Sequence, residues 1–117
     1  GCVNCRKMEE YVWSDPSVLT KLKNDYVVVA LYCDDKTELP EAAWYTSQVD
    51  GQVKQTLGDQ NLDFQITQFN SNAQPHYILL DPRKDMSPMV EPVSFDANID
   101  HFVDFLSKGI ATYKSGN

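Results

Sequence analysis

Cysteine is scarce in this chain, with three in 117 residues: Cys2, Cys5 and Cys33. That is too few for the disulfide framework of a small secreted scaffold, and the odd number leaves one thiol over. Histidine is scarcer still. Only His76 and His101 occur, so a zinc site begun by Cys2 and Cys5 would need ligands from isolated residues in no second paired spacing. Basic residues are outnumbered 10 to 17, giving a net charge of −7 with no Lys/Arg cluster to offset it locally. Nucleic acid and anionic membrane surfaces are therefore poor partners. No apolar run approaches the roughly 20 residues of a membrane-crossing helix, and no secretory signal peptide is present. What the chain does have is a 42% share of hydrophobic residues, which puts it in the globular range and suits one domain over residues 1–117.

Periodicity gives an order of elements. Met8 and Val12, four apart among charged neighbours, predict a short amphipathic helix from the first cysteines to about Trp13. In "SDP", Ser14 or Asp15 can cap a second helix with Pro16 in its first turn, and "KND" ends it. The run "YVVVALYC", residues 26–33, is apolar and β-branched throughout and predicts a central, parallel strand buried on both faces. Residues 34–58 are mostly polar, and Asp50-Gly51 suggests a hairpin turn. Leu62, Ile66 and Phe69 restore a helical period, "SNAQP" breaks it, and "HYILL" (76–80) predicts a further strand. "DPRKD" reads as a turn and "MVEPVSF" as a last strand, with Pro92 at an edge or bulge. Asp96 can cap a closing helix whose apolar face is Ile99, Phe102, Val103, Leu106 and Ile110. Lys108 lies near its C-terminus, and Gly109 marks a stop or a weak point. The pattern is α/β, a small mixed sheet flanked by helices.

The chemistry concentrates in "GCVNC". A Cys-x-x-Cys at a helix start serves as a redox dithiol, as half of a metal site or as a structural crosslink. The redox use has a specific physical basis. The first thiol faces unsatisfied N–H groups and the positive end of the helix dipole, which stabilise a thiolate. Cys2 would attack a disulfide, and Cys5, one turn deeper, would resolve the mixed disulfide. Arg6 adds positive charge. Glu9, four residues after Cys5, can share the helix face of the pair and take its proton, or can simply be solvated. A second segment bears on the choice: "NAQPHYILLDP" sets Pro75 directly ahead of an apolar strand, an odd place unless the Gln74–Pro75 bond is cis. The alternative is a trans proline opening an edge strand, for which "HYILL" is too apolar.

Together "CVNCRKMEEYVWSDPSVL", "YVVVALYCDDKTELP" and "FQITQFNSNAQPHYILLDP" resemble, in order and spacing, the C-terminal thioredoxin-like domain of DsbD-type thiol:disulfide interchange proteins, in their Bacteroidetes-type form. Residues 41–58 carry the resemblance least. It implies a thioredoxin-like fold with Cys2 as nucleophile, Cys5 as resolving cysteine, Glu9 in proton transfer and Pro75 as a cis-proline beside the dithiol, where the Gln74 backbone receives substrate. It further implies a disulfide reductase that needs no cofactor, faces the periplasm as a domain of an inner-membrane protein, and passes electrons from a membrane transporter segment to periplasmic dithiol proteins. A non-catalytic binding module with a static disulfide is the competing expectation. Family members carry a strand directly before the Cys-x-x-Cys, the central one of the sheet, and this sequence lacks it. The sheet is therefore expected to miss its middle, with a dimer or strand swap as a consequence. Cys33 stands where an apolar residue is expected, and a buried structural thiol is its anticipated role. His76 and His101 read as ordinary surface or half-buried residues, Trp13 and Trp44 as packing residues.

Overall fold

A computed structural model describes residues 2–116. The chain is mixed α/β, with four α-helices and a two-stranded antiparallel sheet among the described residues. It divides into two compact units, one of Val29–Asn72 and one of Cys2–Val28 with Ala73–Asn117.

The unit formed by both ends of the chain contains α1 (Val3–Met8), which continues as a π-helical turn over Glu9–Trp13, then α2 (Pro16–Asp25), and at the far end α4 (Ile99–Lys114). Asp15 caps α2, accepting from the Ser17 amide at 3.0 Å, and Pro16 opens it, where no N–H is needed. The apolar residues of these helices turn inward: Met8, Val12, Val18, Phe102, Phe105 and Leu106 are buried together with Leu79. Tyr77 lies over Phe102 edge-on, with ring centroids 5.2 Å apart, and Trp13 packs on the same tyrosine at 5.9 Å. The segment 76–80 is extended and buries Leu79 in this core. Among the described residues it pairs along one edge only: Tyr77 exchanges backbone bonds with Val93, and Leu79 accepts from Met89. Pro92 falls in the irregular stretch between those two contacts, where a residue without an N–H costs no ladder bond.

Two expectations at α4 are corrected. Its N-cap is Asn98, which accepts from the His101 amide at 3.1 Å, rather than Asp96. Asp96 acts one step outside, accepting from the Asn98 amide at 2.9 Å and pairing with His101 Nδ1 at 2.7 Å. Gly109 does not stop the helix, which runs on to Lys114. It is instead a contact position: a Cβ there would lie 2.4 Å from Leu79 Cδ1 and 2.6 Å from Tyr26 Oη. The same tyrosine hydroxyl donates to the Leu106 carbonyl at 2.6 Å. Burial, then the Asp25 charge, push its pKa up to about 12.

The unit Val29–Asn72 is built differently. Strands β1 (Tyr45–Thr46) and β2 (Val53–Lys54) form an antiparallel hairpin with Tyr45 opposite Lys54 and Thr46 opposite Val53. Its turn contains Gly51 at φ 72°, a conformation glycine adopts without steric cost. A 3₁₀ turn, Glu41–Ala43, precedes it, and α3 (Leu57–Phe69) follows, capped by Thr56. Asn70, at φ 52°, ends α3 in the left-handed conformation. Asp63 of α3 is buried and takes hydrogen bonds from Tyr45 Oη at 2.9 Å and from Ser47 Oγ. Gly58 allows the backbone to close: its amide donates to the Asp35 carbonyl at 2.8 Å, and a Cβ would stand 2.6 Å from that oxygen.

The largest correction concerns residues 26–33. They form no strand, and Val27 and Val29 are 92% and 75% exposed. An apolar run is buried as a central strand only if neighbours on both sides accept its backbone groups. Among the described residues none does so for Val27–Leu31.

Candidate functional site

Cys2 is the N-cap of α1. Its backbone is extended (φ −92°, ψ 106°) and its Sγ accepts from the Cys5 amide at 3.1 Å. A sulfur thus occupies the position that a Ser or Asp oxygen fills in an ordinary cap. Val3, Asn4 and Cys5 form the first turn, which returns Cys5 to the cap, and the two cysteines are joined as a disulfide with Cα atoms 5.2 Å apart. Both are partly exposed, while Met8, one turn further, is fully buried and anchors the helix. The sulfur pair is therefore held on a fixed base within reach of solvent. Arg6 and Lys7 follow directly on the helix and are exposed.

The Gln74–Pro75 peptide bond is cis. Pro75 is buried and Gln74 exposed, in the same compact unit as the disulfide. Glu9 is exposed where α1 passes into the π turn; its amide donates to the Arg6 and Cys5 carbonyls, while its side chain makes no hydrogen bond or ion pair among the described residues. Its carboxylate acts instead on Tyr77, whose hydroxyl is pushed up to about 12 by burial first and by the Glu9 charge second. Cys33 is half-buried rather than buried. Its thiol donates to Gln65 Oε1 at 3.5 Å, and burial followed by the Asp34 charge pushes its pKa up. A thiol so placed is a poor nucleophile at neutral pH.

His76 is half-buried, as expected, but the state of its ring was not legible in the sequence. Both ring nitrogens are buried without a hydrogen-bond partner, directly after the cis-proline, and burial lowers its pKa so that the ring is neutral at pH 7. Its only sequence signal was adjacency to Pro75. Trp13 packs in the core as expected, and Trp44 lies at the surface with its Nε1 donating to the Leu39 carbonyl at 2.9 Å. No helix of the described residues is long and apolar enough to cross a membrane. A scan against protein-family models and a search of curated proteins return no match to this chain.

Proposed function

We propose that the chain is a thioredoxin-like thiol:disulfide oxidoreductase that works as a reductase through Cys2 and Cys5. The observation that carries this reading is the cap geometry. In the reduced state, a Cys2 thiolate in that place would take the Cys5 amide and the free N–H groups of the first turn as its partners, which lowers its pKa and raises the nucleophile fraction at neutral pH. The cis Gln74–Pro75 bond in the same compact unit supports it, as do the three sequence segments that resemble DsbD-type domains.

The reaction moves two electrons. The Cys2 thiolate attacks one sulfur of a substrate disulfide, the substrate S–S bond breaks, and the departing substrate sulfur leaves as a thiolate that takes up a proton. Cys5 then loses its proton and attacks Cys2 Sγ, so the mixed disulfide breaks and the second substrate thiol is released. The chain ends as the Cys2–Cys5 disulfide. Glu9 is proposed to receive the Cys5 proton, and the exposed Gln74 backbone to pair with the substrate chain. By resemblance, the acceptors are periplasmic dithiol proteins. A membrane transporter segment of the same protein returns the electrons, and no cofactor takes part.

Trapping tests the reading. In a Cys33→Ser background, reduced Cys5→Ser protein mixed with a disulfide-bonded polypeptide such as insulin should accumulate a mixed disulfide through Cys2, and Cys2→Ser should not. Absence of any Cys2 adduct would leave a binding module with a static disulfide as the function.

A further inference from the structure

Two cations follow the disulfide directly on α1. The Arg6 amide donates to the Cys2 carbonyl at 3.2 Å, so Arg6 stands one turn along the helix from Cys2, and Lys7 stands one turn along from Val3. Side chains of a helix lean toward its N-terminus, the end at which the sulfurs lie. Both cations are exposed, and neither side chain makes a hydrogen bond or an ion pair among the described residues. Val3, between the two cysteines, is 60% exposed. Cations in the last turn of a helix ordinarily meet its unpaired carbonyls. Here that role is filled: the chain continues into the π turn, and the Glu9 amide donates to the Cys5 and Arg6 carbonyls. Glu10 follows Arg6 at a helical pairing interval, yet forms no ion pair with it.

We propose that Arg6 and Lys7 make the site selective for polypeptide disulfides that carry an acidic side chain beside the reacting cysteine. The proposal rests on the redox reading and names its substrate class. Distance decides which charges count. Along the helix axis Arg6 and Lys7 lie about 6–8 Å from Cys2, and Glu9 and Glu10 about 11–12 Å. The Debye length at physiological salt is about 8 Å, so the near field of Cys2 is positive although the chain as a whole carries −7. A broadly acidic polypeptide is repelled by that net charge. The preference is therefore for one or two acids placed at the cysteine, not for acidity throughout. An acid there meets Arg6 or Lys7 as Cys2 engages the substrate sulfur, and exposed Val3 supplies an apolar contact beside it. A lysine in the same position meets like charge.

Two disulfide-cyclised peptides of one composition test it, with reduced Cys33→Ser protein as the reagent. One peptide has two aspartates beside its cysteines and two lysines at its tail; the other has them exchanged. Each rate is divided by that of dithiothreitol with the same peptide, which removes the effect of neighbours on the reactivity of the peptide sulfurs. The aspartate-flanked peptide should be reduced about three- to tenfold faster, in the range that two exposed ion pairs supply. Added salt should narrow the gap. Arg6→Glu combined with Lys7→Glu should reverse the order of the two peptides. That reversal separates docking from Cys2 reactivity, because a change in the Cys2 thiolate scales both rates alike. Equal normalised rates, or a preference for the lysine-flanked peptide, would overturn the proposal and leave the reductase reading standing. No reduction of either peptide would remove the redox reading, and the proposal with it.

Discussion

The two compact units are held by different kinds of contact. All seven buried hydrophobic residues lie in Cys2–Val28 with Ala73–Asn117, whereas the buried side chains of Val29–Asn72 include Ser47 and Asp63 but none of those seven. One unit is a hydrophobic core of helices, and the other is a hairpin pinned to a helix by hydrogen bonds. Apolar burial is proportional to area and tolerates small shifts, while a buried carboxylate holds only while its donors are in place. The Cys2–Cys5 disulfide sits in the first kind of unit, on a helix anchored through Met8 and Val12.

The sharpest test of that contrast is Leu106→Ala. Leu106 is 1% exposed at the centre of the apolar core, so truncation should cost about 2–5 kcal/mol in denaturant unfolding. The loss should appear in the exchange of α1, α2 and α4 amides and leave those of α3 unchanged; an equal loss in α3 would mean the two units unfold as one. Asp63→Ala is its counterpart. It removes the acceptor of Tyr45 and Ser47, one of them buried, and should cost about 1–3 kcal/mol, read as faster exchange across β1, β2 and α3 with α4 unaffected.

Gly109→Ala is expected to cost about 1–3 kcal/mol, because Leu79 and the hydrogen-bonded Tyr26 must both move, against the helix-propensity gain of about 1 kcal/mol that alanine brings. A thermal melt of the variant above that of wild type would show that the two side chains yield freely. The smallest effect is an acid limb. The Arg83 guanidinium, bonded to both oxygens of Asp81, holds that carboxyl down to about 2 from 3.8. A depressed folded-state pKa contributes stability that is complete above the unfolded value and is lost as pH falls from about 4 through about 2. Asp81→Asn should flatten that part of the stability-versus-pH curve, and an unchanged slope would assign the acid limb to other carboxylates.

Where local chemistry decides the backbone, the sequence could be read directly. Asp15 and Pro16 start α2, Asp50-Gly51 marks the hairpin, and the Leu62–Ile66–Phe69 period marks α3. These signals act over a few residues. The placement of Cys2 at the start of a helix was readable for the same reason, since the Cys-x-x-Cys and the helix start are neighbours in the chain. What could not be read depends on distant partners. The run 26–33 has the composition of a central strand, yet strand state requires neighbours that its composition cannot supply. Gly109 looked like a terminator because its contacts, Leu79 and Tyr26, lie 30 and 83 residues away in sequence. Asp63, one polar residue in an amphipathic helix, gave no sign that it would be buried, because its donors belong to the hairpin.

The core of the unit that carries the Cys2–Cys5 disulfide is assembled from two stretches of sequence, Cys2–Val28 and Ala73–Asn117, separated by Val29–Asn72. On the ribosome this reverses the usual order, in which the segment made first is packed first. The helix of Cys2 and Cys5 emerges before the rest of its core, and Met8 and Val12 meet no Phe102, Phe105 or Leu106 until the intervening residues have followed. The hairpin and α3 have every partner they need well before that. Cys2 and Cys5 are therefore synthesised well before the residues that seat their helix, and in that interval neither cysteine has a folded core behind it.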